Sequence, residues 1–192
     1  MTRVGFFGGT FNPPHLAHLA AAESVRDQLK LDKILFVPAA LPPHKIKANI
    51  TPASQRLQMV KLAIEDNPFF DCSDIELRRK GLSYTVDTIT EIKKKSEYDL
   101  FLIMGVDLLV DFDSWKSPKR ILEECTIVAM NRPGFDLAAV DKDLLSRVEI
   151  VNVPSVDISS TSIRRRVKSG RSIKYLVPPK VEEYIRANSI YT

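Results

Sequence analysis

Apolar segments of strand length alternate along the chain with segments of helical periodicity. The strand-like segments are rich in β-branched and aromatic residues, and several are apolar throughout, as expected for strands buried on both faces of a sheet. The predicted strands cover residues 4–7, 34–37, 100–104, 126–130 and 148–153. Strand-helix alternation implies right-handed crossovers, and it therefore predicts a three-layer α/β fold with a mostly parallel sheet.

The helical segments carry their own start signals. Ala21, Val25 and Leu29 recur every fourth residue and predict the first helix. Thr51 and Pro52 have the residue types of an N-cap and a first-turn proline, and they predict the second. Further helices are predicted over residues 85 to about 95, 159 to about 168 and 178–187. Because 192 residues fit one domain, we expect a single domain over residues 1–192, with a helical segment at about 159–188 packed on it.

Three predicted loops indicate where a ligand would bind. Residues 38–43, 111–118 (a loop or a broken helix) and 131–135 are rich in proline or polar residues, and they follow predicted strands directly or, for the second, a few residues downstream. In open parallel sheets, ligands lie beyond the carboxyl ends of the strands. We therefore expect the functional site at that edge of the sheet.

The composition is that of an ordinary globular protein. Hydrophobic residues make up 44% and charged residues 27%, which excludes disorder for most of the chain. The longest apolar run, residues 100–106, is far shorter than the ~18 residues of a membrane span, and no basic-then-apolar leader is visible. Cys72 and Cys125 lack metal-ligand spacing and are interpreted as small core residues. Two cysteines suit a reducing compartment, so we expect a cytoplasmic protein with no membrane partner.

The positive charge is concentrated in one segment. The net charge is +4, yet seven basic residues and no acidic residue lie between Asp157 and Glu182. The rest of the chain carries 21 basic and 24 acidic residues, a net charge of −3. No aromatic residue lies between Ile158 and Lys174 to stack on bases. We therefore predict one anion-attracting segment and no nucleic-acid partner.

A glycine pair follows the first predicted strand. Gly8 and Gly9 lead through a short polar turn into the first helix. A glycine-rich turn at a helix N-terminus can bind an anion, because free N–H groups and the positive end of the helix dipole face the ligand. The spacing matches neither a Walker loop nor a GxGxxG fingerprint. A purely structural tight turn is the alternative for the glycines alone.

Two histidines strengthen the phosphate hypothesis. His15 and His18 are spaced i, i+3 at the start of the predicted helix, so they face the same side. Imidazole can donate hydrogen bonds to phosphate oxygens. The alternatives are one capping and one packed histidine, or a zinc pair, but no further ligand lies at metal spacing. We predict phosphate binding here and no metal-ligating residues.

The sequence resembles the HxGH nucleotidyltransferase superfamily at two signatures. The first is GGTFNPPHLAH at residues 8–18, and the second is ISSTSIR at residues 158–164. Further segments are similar to the bacterial nicotinate-nucleotide adenylyltransferase family: PPHK at 42–45, SYTVDT at 83–88, GVD at 105–107 with Trp115, and YLVP at 175–178. The resemblance runs from about residue 3 to residue 188. It implies a Rossmann-like fold and an enzyme that transfers AMP from ATP to nicotinate mononucleotide.

Two positions depart from the family pattern. Asn12 stands where the family usually has aspartate, which keeps the turn chemistry and removes a charge. Ala17 replaces the glycine of HxGH and adds a methyl group where a nucleotide would approach the backbone.

The resemblance also implies roles on the ATP side. His15 and His18 would hold the triphosphate, and Arg164 would clamp its outer phosphates. Mg²⁺, held largely by phosphate oxygens and water, would screen the charge. The remaining residues implied to bind ATP are Gly8, Gly9, Thr10, Phe11, Gly105, Asp107, Ser159, Ser160 and Thr161.

On the acceptor side, Trp115 would stack on the pyridine ring, although a core tryptophan is the alternative. Tyr84 and Thr85 would donate to the nicotinate carboxylate. The acceptor phosphate and the rim of the site are assigned to His44, Lys45, Arg56 and Arg132, with surface or helix-pairing arginines as the alternative for the last two. Arg165 and Arg166 are expected on a solvated face.

Other functions remain open from the sequence. They are a nucleotidyltransferase acting on nicotinamide mononucleotide or phosphopantetheine, and a non-catalytic nucleotide-binding module. A homo-oligomer is equally open.

Overall fold

One parallel sheet organises the molecule, with the strand order β3-β2-β1-β4-β5-β6. This computed structural model describes residues 1–41, 50–79, 81–95, 97–131 and 135–192. The strands are β1 (Thr2–Gly9), β2 (Lys33–Pro38), β3 (Phe70–Cys72), β4 (Tyr98–Gly105), β5 (Thr126–Asn131) and β6 (Val148–Asn152). Every adjacent pair is parallel. The chain runs outward from β1 through β2 to β3, then returns to place β4 on the other side of β1.

Helices cover both faces of the sheet, which confirms the predicted three-layer α/β fold. They are α1 (Leu16–Gln28), α2 (Ala53–Ile64), α3 (Ile75–Arg78), α4 (Thr85–Lys95), α5 (Pro118–Glu124), α6 (Lys142–Leu145), α7 (Ser160–Lys168) and α8 (Pro179–Ala187). Short 3-10 segments occur at Val106–Leu109, Phe112–Ser114 and Leu137–Ala139.

Two apolar cores lie on opposite faces of the sheet. Alternation along β1 directs Phe7 into one core and Phe6 into the other. The first core joins α1 and α2 to the C-terminal segment, whose Ile163, Val181 and Ile185 are buried there. This shared core fixes the position of α7 relative to the end of β1.

The predicted strands are all present, each with ends within a few residues of the prediction. β3 was not predicted because three residues are too short to display a period. The helices α3, α5 and α6 were not predicted either, because their four, seven and four residues form at most two helical turns. The predicted capping role of Thr51 is wrong: Pro52 occupies the N-cap position and α2 begins at Ala53. The predicted loops at 38–43 and 131–135 fall partly on residues 42–49 and 132–134, outside the described residues.

Cys72 and Cys125 are unbridged and half-buried. Burial raises the pKa of each thiol to about 12, so both stay protonated at neutral pH and act as small apolar side chains. Among the residues that the structure describes, no helix is both long and apolar enough to cross a lipid bilayer.

Candidate active site

A cleft opens at the carboxyl ends of β1 and β4. The connections from these adjacent strands run in opposite directions, and such a switch point leaves a crevice above the sheet. The cleft has a volume of about 500 Å³, a size typical of small-molecule sites. Predicted site residues that line it are Gly8, Gly9, Thr10, His18, Tyr84, Thr85, Gly105, Asp107 and Trp115.

The turn after β1 requires glycine at one position. A Cβ atom on Gly9 would lie 2.8 Å from the ring of Phe11. That ring has no room to move, because it is 3% exposed and packs edge-on against Phe7 and His18. Phe11 thus forms a buried support behind the turn, whereas Gly9 presents backbone to the cleft.

The two histidines take different positions. His15 is buried at the N-cap of α1, and its backbone N–H donates to Nδ1 of His18 at 3.2 Å. The two rings stack with centroids 3.6 Å apart. His18, unlike His15, is part of the cleft lining. Because Nδ1 of His18 accepts a hydrogen bond, the ring proton lies on Nε2, which is therefore a donor.

The tip of α7 joins the turn that follows β1. Ser159 caps α7 by accepting from the Ser162 N–H at 3.1 Å. Ser160 Oγ donates to the Pro13 carbonyl at 2.8 Å. Arg164 Nη1 donates to the Asn12 carbonyl at 2.8 Å, and its Nη2 donates to Thr161 Oγ1 at 3.1 Å. The two sequence signatures, about 150 residues apart, therefore meet at one place.

The end of the chain supports the same turn through a residue that the sequence did not single out. The Tyr191 hydroxyl donates to Asn12 Oδ1 at 2.7 Å. Burial raises the pKa of Tyr191 to about 12. A tyrosine next to the last residue gives no motif, so no signal in the sequence pointed to this contact.

We expect Tyr191→Phe to destabilise the fold by about 1 kcal/mol at pH 7, because Asn12 loses a buried partner. The advantage of the wild type should shrink as the pH rises from 10 to 12. Tyr191 keeps its proton in the folded state up to the raised pKa, whereas the unfolded tyrosine releases it near pH 10, so the hydroxyl's stabilisation is lost across that interval. Urea unfolding of both proteins across this pH range measures the difference. A difference that stays constant with pH would contradict the argument.

Gly105 and Asp107 form a tight unit at the end of β4. A Cβ atom on Gly105 would lie 2.4 Å from Asp107 Oδ1. Asp107 is exposed in the 3-10 segment Val106–Leu109, on the edge of the cleft. An exposed carboxylate after a strand is suited to accept bonds from ribose hydroxyls.

The opposite wall of the cleft is built from the start of α4 and the segment around Trp115. Tyr84 and Thr85 stand at the first turn of α4, where a helix leaves backbone N–H groups without intrahelical acceptors. Trp115 is half-buried and packs against Phe112.

Lys116 was not predicted as a site residue. Its ammonium group pairs with the Asp87 carboxylate at 2.9 Å and lies 4.7 Å from the centre of the Tyr84 ring. His44, Lys45 and Arg132 lie outside the described residues.

Arg56 is buried, so the expectations of a rim or a surface position for it are wrong. It is 1% exposed, and its guanidinium donates to the carbonyl oxygens of Thr51, Thr10 and Ala40 at 2.9, 2.7 and 3.2 Å. Burial lowers the pKa of Arg56, yet arginine stays charged in proteins. A buried cation therefore lies directly behind the turn that follows β1.

Glu76 is a second buried charged residue that the sequence did not indicate. It is 5% exposed and belongs to the cleft lining. Burial raises the pKa of its carboxyl, and hydrogen bonds from Thr88 and Ser83 partly offset that effect. Among the described residues, no group of three or more His, Cys, Asp or Glu is placed to hold a metal ion.

A switch-point cleft lined by a glycine turn, with the tip of α7 hydrogen-bonded to that same turn, is the architecture of a nucleotide-binding α/β protein. Comparison with known families agrees, since the cytidylyltransferase-like family matches residues 6–166. The fold and the site thus define a nucleotidyltransferase.

Curated relatives narrow the class. A protein of Thermoanaerobacter sp. (strain X514) is 45% identical over 198 residues, which cover 98% of this chain and 94% of the relative. A Thermus thermophilus protein is 45% identical over 190 residues, which cover 98% of this chain and 99% of the relative. Both bear the name "Probable nicotinate-nucleotide adenylyltransferase". The chain belongs to the nicotinate-nucleotide adenylyltransferase family.

Solved structures support the fold. The Plasmodium falciparum nicotinic acid mononucleotide adenylyltransferase complexed with NaAD superposes with a TM-score of 0.81 at 20% sequence identity, over 100% of this chain and 98% of that one. The same Plasmodium enzyme complexed with APC gives a TM-score of 0.80. At this identity the likeness concerns the fold alone.

Proposed function

We propose that this enzyme transfers AMP from ATP to nicotinate mononucleotide, giving nicotinate adenine dinucleotide and pyrophosphate, a step of NAD biosynthesis. Besides family membership, one contact supports the proposal. The guanidinium of Arg164, in the second signature, donates a hydrogen bond to the carbonyl of Asn12, in the first. This contact supports a triphosphate site between the tips of α1 and α7.

The reaction needs positioning more than acid-base chemistry. A phosphate oxygen of the acceptor attacks the α-phosphorus of ATP, and the bond from that phosphorus to the bridging oxygen breaks. The electron pair leaves with pyrophosphate. Because the attacking phosphate is already an anion, no general base is required, and catalysis consists of alignment and charge stabilisation.

We assign the following roles to the residues of the site. His18 donates from Nε2 to the α-phosphate as charge builds, while His15 fixes the orientation of the His18 ring through their hydrogen bond. Arg164 holds the outer phosphates, with Ser159, Ser160 and Thr161 at the same helix tip. Thr10 and the glycine turn contribute backbone, and Asp107 accepts from the ATP ribose.

A divalent metal, most simply Mg²⁺, enters as part of the ATP substrate. In this proposal phosphate oxygens and water bind the ion. It would screen the repulsion between the two phosphates.

The acceptor lies along α4 and Trp115 in this proposal. The N–H groups at the start of α4 suit the nicotinate carboxylate, and Thr85 adds a hydroxyl. His44, Lys45 and Arg132 remain predicted contacts to the acceptor.

The test is pyrophosphate release with ATP and each of three acceptors: nicotinate mononucleotide, nicotinamide mononucleotide and phosphopantetheine. We expect the highest kcat/KM with nicotinate mononucleotide. A higher value with phosphopantetheine would overturn the choice of acceptor. Salt-dependent retention of oligonucleotides without any pyrophosphate release would instead favour a binding module.

Trp115→Ala should raise the KM for nicotinate mononucleotide about tenfold, since stacking on one flat ring contributes ~1–1.5 kcal/mol. The KM for ATP should stay within twofold of wild type. Trp115→Phe keeps an aromatic face and should restore most of the loss. Equal increases in both KM values would show that Trp115 supports the cleft as a whole rather than the acceptor.

We further propose that residues 1–192 act as one nucleotidyltransferase domain in the cytoplasm. The first core, shared by β1, α1 and the C-terminal helices, supports a single unit. The unbridged thiols suit a reducing compartment.

A further inference from the structure

Glu76 occupies an unusual place for a carboxylate. It lies on the short helix α3, is 5% exposed, and forms part of the cleft wall beside Ser83, Tyr84 and Thr85. None of the steps above uses it. A buried carboxylate is costly unless it is hydrogen-bonded, so its partners show what it does.

Those partners lie on α4 and on the segment that precedes it. Thr88 Oγ1, on α4, donates to Glu76 Oε1 at 2.7 Å. The Ser83 hydroxyl, which receives the Ala40 N–H of the loop after β2, also bonds to the carboxylate. Thr88 in turn accepts from Arg79 Nη2 at 2.9 Å. One carboxylate therefore connects the loop after β2 to the start of α4.

The hydrogen bonds of Ser83 require an acceptor at position 76. Ser83 Oγ accepts from the N–H groups of Ala40 and Leu41 at 3.0 and 3.3 Å. Those two bonds use both of its lone pairs, so Ser83 bonds to Glu76 by donating its proton. A carboxylate only accepts, whereas a glutamine amide would direct its NH₂ group at the hydroxyl of either Ser83 or Thr88 and leave two donors facing each other.

We propose that Glu76 is a positioning residue for the acceptor: through Ser83 it fixes the Tyr84–Thr85 end of α4 and the loop after β2 relative to one another. The inference rests on the proposed function, because these two segments form the acceptor wall of the cleft. ATP binding, which uses the ends of β1 and β4 and the tip of α7, should not depend on Glu76.

The test compares Glu76→Gln with the control Glu91→Gln. Glu91 Oε2 lies 3.8 Å from Arg79 Nη1, and Glu91 Oε1 pairs with Lys95 Nζ at 2.8 Å. Its replacement alters the same arginine without reaching the cleft. We expect Glu76→Gln to raise the KM for nicotinate mononucleotide about tenfold, with the KM for ATP within twofold of wild type. Glu91→Gln should leave both KM values unchanged.

A direct binding measurement separates positioning from turnover. Trp115 is the only tryptophan and lines the cleft, so its fluorescence can report nicotinate mononucleotide binding without ATP. The dissociation constant should weaken by the same factor as the KM in Glu76→Gln. Ser83→Ala should give a similar change, and the double variant should be no worse than either single one, because both act through one contact.

The outcomes distinguish the two proposals. If the wild type releases pyrophosphate with another acceptor only, the proposed function fails. If the wild type uses nicotinate mononucleotide while Glu76→Gln and Ser83→Ala bind it with wild-type affinity, the positioning role of Glu76 fails. Equal losses for ATP and acceptor would also overturn it, since they would indicate a general structural role. If Glu76→Gln does not fold, the affinity of Ser83→Ala for nicotinate mononucleotide tests the positioning role by itself.

Discussion

His18→Asn should lower kcat by about 10²–10³, the usual cost of removing one donor to developing charge. The asparagine Oδ1 takes the place of Nδ1 and can still accept from the His15 N–H, which is 3.2 Å from Nδ1 in the wild type. The distal donor Nε2 is removed. Since that donor acts mainly as charge builds on the phosphates, the KM for ATP should change by less than threefold.

His18→Gln is the matched control, because its terminal amide nitrogen extends to about the position of Nε2. It should recover part of the rate even though its capping geometry is poorer. Steady-state kinetics and thermal unfolding of all three proteins separate chemistry from folding. Asparagine and glutamine variants of equal activity would argue against a distal donor at position 18, as would wild-type turnover in His18→Asn.

The two segments that carry the sequence signatures could be located because their signals are local. Gly9 and His18 lie within one strand-turn-helix unit, and Ser159 to Arg164 within one helix start. Turn residues and caps act over a few positions, so a sequence displays them directly. The strands were recognisable for a similar reason: residues buried on both faces give unbroken apolar runs.

Contacts between distant segments could not be predicted in this way. Tyr191 reaches Asn12 across 179 positions, and Arg56 reaches Thr10 across 46. Nothing in the local pattern around a polar residue says that tertiary packing will bury it. Charged residues are mostly exposed. The ordinary expectation for Arg56 is therefore a surface position, and no motif singles out Glu76.

The site therefore has two kinds of residue. Those that would touch substrate, such as His18 and Asp107, lie at element ends and follow motifs. Those that hold the walls in place, such as Arg56 and Glu76, are buried and follow none. Ala40 lies between the two buried charges, since its carbonyl accepts from Arg56 and its N–H donates to Ser83, a partner of Glu76.

Arg56→Met should destabilise the protein by about 3–5 kcal/mol, the largest stability loss that we expect from a single substitution here. The methionine fills much of the volume but leaves the carbonyls of Thr51, Thr10 and Ala40 without their donor, and each hydrogen bond to a charged group contributes ~1.5–3 kcal/mol before non-additivity. Such a loss is a large fraction of the ~5–15 kcal/mol that stabilises a typical domain. Arg56→Lys keeps the charge but lacks the planar fork that serves three acceptors, so an intermediate loss of ~2 kcal/mol is expected.

Urea unfolding at pH 7 measures these losses, with Arg78→Met as the control. Arg78 is exposed and pairs with Asp74 one turn away at 3.1 Å, so its replacement should cost under ~0.5 kcal/mol. A loss below ~1 kcal/mol for Arg56→Met would mean that water or rearranged backbone satisfies the three carbonyls. In the expected case, the folded fraction of Arg56→Lys should show raised KM values for both substrates, because under the proposed function Thr10 would border the phosphates and Ala40 the acceptor. A buried arginine would then couple the stability of the fold to the alignment of the two substrates.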